Sequence, residues 1–186
     1  MASTPLSEHD PGATQALAGQ RELSMTVLMT PDMANFSGKV HGGAILKKLD
    51  EVAFACASRY SGHYVVTLSV DQVLFKQPIH VGELVTFLAT VNYVGRSSME
   101  VGVKIVAENI REKLIRHTNS CYFTMVAVEA DGTPAQVPPL SLETPLQALR
   151  FEKAALRKKL RKQAEQEQQR THAQHSDALG SAAHRA

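Results

Sequence analysis

Between Gly42 and Arg59 the chain carries one uninterrupted helical pattern, and nothing else in it constrains the fold as tightly. Ile45, Leu49, Val52 and Cys56 recur at helical spacing. Leu46 and Ala53 widen the apolar arc, while Lys47, Lys48 and Glu51 fill the opposite side. A stripe this wide suits a helix covered on more than one side. Most of the remaining patterned sequence reads as strand. Residues 21–29 alternate, with Leu23, Met25 and Val27 on one face, and residues 64–75 are β-rich with a break near Asp71 and Gln72 that predicts a bulge. Residues 84–94, 99–107 and 114–128 read as strands in turn, separated by turn signals such as Gly95-Arg96.

The predicted order is a strand, a long helix, then four consecutive strands joined by short connections. An antiparallel meander is the cheapest topology for such a run. One helix on one such sheet makes an α+β layer, and a helix apolar round so much of its circumference calls for a sheet that curls about it. The expected fold class is therefore α+β of the hotdog kind: a curved antiparallel sheet wrapped around one long central helix, plus a C-terminal helical extension. This domain is expected over residues 21–140, after a flexible Pro/Gly-bearing leader at 1–20. The helical extension is expected over 141–170, where Leu146, Leu149, Phe151, Ala154, Leu156 and Leu160 lie among charged and amide side chains. Residues 171–186 read as a disordered tail.

A formal net charge of +2 gives no case for nucleic acid as the main partner, although Lys and Arg gather between Arg157 and Lys162. Cys56 and Cys121 fall within apolar patterns, with no second Cys or His at ligand spacing. Two buried, reduced thiols are expected, and no metal site. The N-terminus lacks the basic start and apolar run of a secretory signal, and no stretch is long and apolar enough for a membrane span. The expected location is cytoplasmic.

On a helical wheel at ~100° per residue, Asp50 falls at about 140° from Ile45, inside the flank of the apolar arc, between Ala57 and Phe54. Two readings fit. Asp50 is a rim residue, exposed or paired with Lys47, or it is a partly desolvated carboxylate able to serve as general base or nucleophile. The loop from Asn35 to Gly43 puts paired glycines at the helix entrance. There a ligand can approach amide donors that have no intrahelical partner and lie at the positive end of the helix dipole. Such donors polarise a carbonyl oxygen, but a plain glycine turn has the same sequence. Arg96, in the turn before Ser97 and Ser98, is a candidate to meet a phosphate, with Lys76 and Lys104 weaker.

The run from Pro31 to Gly43, followed by Leu49-Asp50, resembles the active-site segment of the cytosolic acyl-CoA hydrolase branch of hotdog thioesterases. Val65 to Asp71, Phe75-Lys76-Gln77-Pro78, Val81-Gly82-Glu83 and Gly95-Arg96-Ser97-Ser98 resemble the same family, in one order across roughly residues 21–140. The resemblance implies an acyl-CoA thioesterase with Asp50 as the catalytic carboxylate and Asn35 as its polar partner. It also implies that Gly43 lies near the thioester carbonyl and that Thr67 supports the carboxylate. It implies dimers, often assembled further as trimers of dimers. No cofactor is expected, coenzyme A being part of the substrate.

Gly43 and Asp50 stand seven residues apart, a rise of ~10 Å on one helix. A carboxylate that distant does not easily reach a carbonyl held at its own helix N-terminus. The expectation is a shared site, with Asn35 and Gly43 from one protomer and Asp50 from its partner. The chain has no GxSxG elbow, and Cys56 lies on the core-facing arc. A rival reading is a non-catalytic acyl-CoA-binding module acting through its basic C-terminal segment. A hotdog hydratase is disfavoured, because no His lies between Gly43 and Arg59.

Overall fold

The structure is a computed structural model that describes residues 19–183, with side chains described to residue 171. The described residues fall into two compact units that divide between Ser141 and Leu142. The leader expected at 1–20 lies almost wholly outside the described residues.

In the first unit, β1 (Glu22–Leu28) precedes a 3-10 turn (Pro31–Met33) and the helix α1 (Gly42–Ser61). Then come β2 (Tyr64–Val70), β3 (Leu84–Val94), β4 (Ser98–Asn109) and β5 (Leu114–Val128). The five strands form one antiparallel sheet in the order β1-β3-β4-β5-β2. Ile45, Leu49, Val52, Ala53, Cys56 and Ala57 bury one face of α1. They lie in one core with the inward residues of the sheet, among them Phe87, Val101, Ile105, Phe123 and Met125. The helix ends at Gly62, whose φ of +73° supplies the left-handed cap that a side chain would disfavour.

Three expectations about the sheet need correction. It does not curl round α1: among the described residues it is an open sheet with β1 and β2 as its edge strands. At ~4.8 Å between strands, five strands span about 20 Å, whereas enclosing a helix at ~10 Å from its axis takes on the order of 60 Å of sheet. The wide apolar arc is therefore only partly covered, leaving Leu46 38% and Phe54 37% exposed. The strands after the helix are also not a simple meander. β3, β4 and β5 follow one another, but β2 pairs with β5 at the far edge. The irregularity in β2 lies between Thr67 and Ser69 rather than near Asp71 and Gln72, where the chain has already left the strand.

In the second unit, α2 (Pro145–Ala183) starts at a reciprocal cap. The Gln147 amide donates to Thr144 Oγ1 at 3.3 Å, and Gln147 Oε1 accepts from the amides of Glu143 and Thr144. Pro145 sits in the first turn, where its missing N–H costs nothing. The helix runs past Arg170, where the sequence reading placed the end of the extension.

Candidate active site

The entrance to α1 is built by a folded-back loop. Asn35 Oδ1 accepts from the Ser37 amide (2.9 Å), the Ser37 hydroxyl (2.8 Å) and the Lys39 amide (3.1 Å), closing a tight turn. Gly38 sits in it at φ +74°. Val40 then donates its amide to Ile79 and His41 donates to Met33, which ties the loop to its neighbours.

His41 is the N-cap of α1: its Nδ1 accepts the Gly43 amide proton at 2.8 Å. A Cβ on Gly43 would stand 3.0 Å from that nitrogen, a tight contact that would push the His41 ring back by a few tenths of an ångström. Phe75 lies over Gly42, its ring 3.6 Å from where a Cβ would be. Both contacts were hidden in the sequence. The only signal for them was the position of His41 one residue before a Gly-Gly pair.

The loop that Val40 docks on is pinned by a buried ion pair that sequence reasoning also missed. Glu83, 4% exposed, accepts from the His80 amide (2.9 Å) and from the Arg116 guanidinium, which also donates to the Pro78 carbonyl at 2.6 Å. Burial pushes the Glu83 carboxyl up, but the His80 amide and Arg116 outweigh it, and the group lies below its ordinary value.

Asp50 and Thr67 come together. Thr67 Oγ1 donates to Asp50 Oδ1 at 2.6 Å, with Met125 Sδ 3.6 Å from the same hydroxyl. Thr67 stands at the end of the regular part of β2, opposite Met125, so it faces α1. Asp50 is exposed in the single chain and is not paired with Lys47; the ion pair on that helix is Lys48–Glu51 at 2.7 Å. Asn35 makes its bonds within its own loop, and Gly43 its bond to His41. The predicted residues thus separate into an Asp50–Thr67 pair and an Asn35–Gly43 entrance.

Arg96 and Ser97 fall in the β3–β4 turn, and Ser98 opens β4. The Ser97 carbonyl accepts from Ala127, which pairs with Val65 just after the C-terminal end of α1, so this turn lies away from the glycine entrance. Arg96 is exposed. Cys56 and Cys121 are buried free thiols, both pushed up to about 12 by burial, so neither supplies a thiolate near neutrality. Among the described residues, no three His, Cys, Asp or Glu side chains gather where they could hold a metal ion. No described helix is long and apolar enough to cross a membrane.

One helix laid across an open five-stranded antiparallel sheet, with an acid on the helix and glycines at its mouth, defines a domain of the hotdog class. The thioesterase superfamily pattern matches residues 37–113. The protein VdlD of Helicobacter pylori is 50% identical over 144 residues, 77% of this chain and 82% of that one. An acyl-CoA hydrolase from Staphylococcus aureus, solved with butyryl coenzyme A, coenzyme A and coenzyme A disulfide, superposes with a TM-score of 0.73 at 30% identity, covering 81% of this chain and 92% of its own. An apo-hexameric acyl-CoA thioesterase superposes with a TM-score of 0.75 at 33% identity, covering 79% and 95%. The chain belongs to the hotdog-fold thioesterase superfamily, closely related to the acyl-CoA hydrolases. Structures of variants of the Staphylococcus aureus enzyme each have an Asn, an Asp or a Thr replaced by alanine. Those three positions have the same mutual spacing along the chain as Asn35, Asp50 and Thr67.

Proposed function

We propose that the chain hydrolyses acyl-CoA to a free carboxylic acid and coenzyme A at sites that are each completed by two copies of the domain. Acyl-CoA hydrolysis is the activity of the related enzymes. The observation that carries the shared site is the separation just described: Thr67 orients Asp50, while Asn35 and Gly43 lie in another part of the chain.

The single chain also carries a surface suited to a second copy. β2 is a free edge, and Tyr64, Val66, Leu68 and Val70 on it are 65%, 42%, 68% and 47% exposed. An edge that apolar is a template for strand pairing. Leu46 and Phe54 lie on the same helix as Asp50 and are left uncovered by the sheet. A dimer joined there would bury the apolar edge and take Asp50 out of open water. Trimers of such dimers give a hexamer, the state named for one structural relative.

In each site the thioester oxygen takes the Gly43 amide in place of His41 Nδ1, and the helix dipole stabilises the developing oxyanion. Asp50 either removes a proton from water as the water oxygen attacks the carbonyl carbon, or attacks that carbon itself to form an anhydride that water then opens. Both routes break the C–S bond, and the thiolate leaves and is protonated. Arg96, with Ser97 and Ser98, meets a phosphate of coenzyme A.

Mixed dimers test the shared site. In a D50A/N35A heterodimer one of two sites carries neither substitution. Equal mixing with random pairing should therefore restore about a quarter of wild-type thiol release, while each variant alone is nearly inactive. No recovery in verified heterodimers refutes sharing.

A further inference from the structure

Two aromatic side chains flank the glycine pair at the mouth of α1, one against each residue. The His41 imidazole lies against Gly43, and the Phe75 ring lies against Gly42, with its Cζ and Cε2 3.6 and 3.7 Å from the place a Cβ would take. In the site proposed above the thioester oxygen displaces the imidazole from the Gly43 amide. The phenyl ring then remains beside the bound carbonyl.

Phe75 is held there without belonging to the core. It is 48% exposed, whereas Val73, two residues earlier on the same segment, packs on the core. The segment crosses the helix mouth as a strap fixed at both ends. At one end the Asp71 amide donates to the Tyr122 carbonyl at 2.9 Å. At the other, the Ile79 carbonyl accepts from the Val40 amide at 2.9 Å and the Pro78 carbonyl from Arg116 at 2.6 Å. Arg116 is fixed in turn by the buried Glu83, so that ion pair helps to set where the ring stands. An apolar ring half in water beside a ligand gains by burial against it.

We propose that Phe75 is a specificity-determining residue whose exposed face receives the first methylenes of the acyl chain, so that the site favours acyl groups longer than acetyl. The inference rests on the Gly43 amide holding the thioester oxygen. Successive Cα atoms stand ~3.8 Å apart, so a ring over Gly42 meets atoms near the carbonyl rather than the distant nucleotide end of coenzyme A. Two arms leave that carbonyl. The thiol arm carries an amide a few atoms beyond the sulfur, and a face made only of carbon would strip it of water without returning a hydrogen bond. The acyl arm is hydrocarbon and gains from the same contact.

Calorimetry with S-(2-oxoalkyl) thioethers of coenzyme A reads this without turnover, because a methylene between carbonyl and sulfur leaves no thioester to hydrolyse. In the full-length protein, affinity should rise about fourfold for each methylene that reaches the ring across the 2-oxopropyl, 2-oxopentyl and 2-oxoheptyl compounds. Phe75→Ala should flatten that rise, with a loss on the order of tenfold for the longest compound and far less for the shortest. Phe75→Gln, which keeps a long side chain but removes the apolar face, should flatten it in the same way, and Phe75→Leu should restore most of it. An equal loss at every chain length would assign the ring to the thiol arm or to the shape of the strap, and overturn the proposal. So would an unaltered rise in a folded Phe75→Gln protein, or no binding of the series to wild type. The expected rise in a protein that releases no thiol from acyl-CoA would support this role for Phe75 while refuting hydrolysis.

Discussion

Replacing Thr67 by valine tests the Asp50–Thr67 pair with little disturbance of shape. The methyl occupies the hydroxyl's place against Met125, so the main loss is the 2.6 Å bond to Asp50 Oδ1. A hydrogen bond to a charged group contributes about 1.5–3 kcal/mol. The lower end of that range sets the least effect in the shared site, and each ~1.4 kcal/mol is a tenfold change in rate. Thr67→Val should thus lower kcat at least about tenfold, with KM changed far less, because the bond orients the acid rather than the bound substrate. Thr67→Ser, which restores the hydroxyl, should recover most of the loss. The assay is thiol release at saturating acyl-CoA, with Tm followed in parallel. An unchanged kcat in a folded Thr67→Val protein, or a loss that serine does not rescue, refutes the positioning argument.

Glu83→Gln should cost on the order of 3 kcal/mol of stability, because it leaves the Arg116 guanidinium without its counter-charge. Since the Glu83 carboxyl is held below its ordinary 4.5, its contribution is present above that pH and lost as pH falls through the lowered value. The Tm gap between wild type and variant should therefore close on acidification below pH 4.5, and a gap independent of pH would count against the ion pair. Iodoacetamide at neutral pH should leave activity intact, because both thiols are buried and raised to about 12. Rapid inactivation matched by labelling of Cys56 would contradict this.

Much of the domain was legible because it is written in local periodicity. The stripe from Ile45 to Ala57 identifies α1 and its buried face, and alternation identifies the strands. Strand neighbours are another matter. The alternation in β2 is the same whether it lies beside β3 or beside β5, and only tertiary packing chose β5. The curled sheet was expected for a related reason: a wide apolar arc on a helix tells how much surface is to be covered, not whether the cover belongs to the same chain. Leu46 and Phe54 show the arc exceeding what five strands reach.

The candidate site divides along the same line. Residue type and order along the chain mark Asp50 and Gly43 as candidates, because an acid in an apolar arc and glycines at a helix entrance are local facts, whereas Asn35 and Thr67 were implied only by the family resemblance. The contact of Thr67 with Asp50 spans 17 residues, and the pair of Glu83 with Arg116 spans 33. His41 Nδ1 on the Gly43 amide spans only two, yet it depends on a side-chain rotamer. Sequence alone determined which elements form and which faces they bury, since both follow from repeats of a few residues. Only the tertiary structure decided which strand lies at the edge, what holds the acid in place, and which apolar surfaces remain open, since those depend on contacts between distant segments.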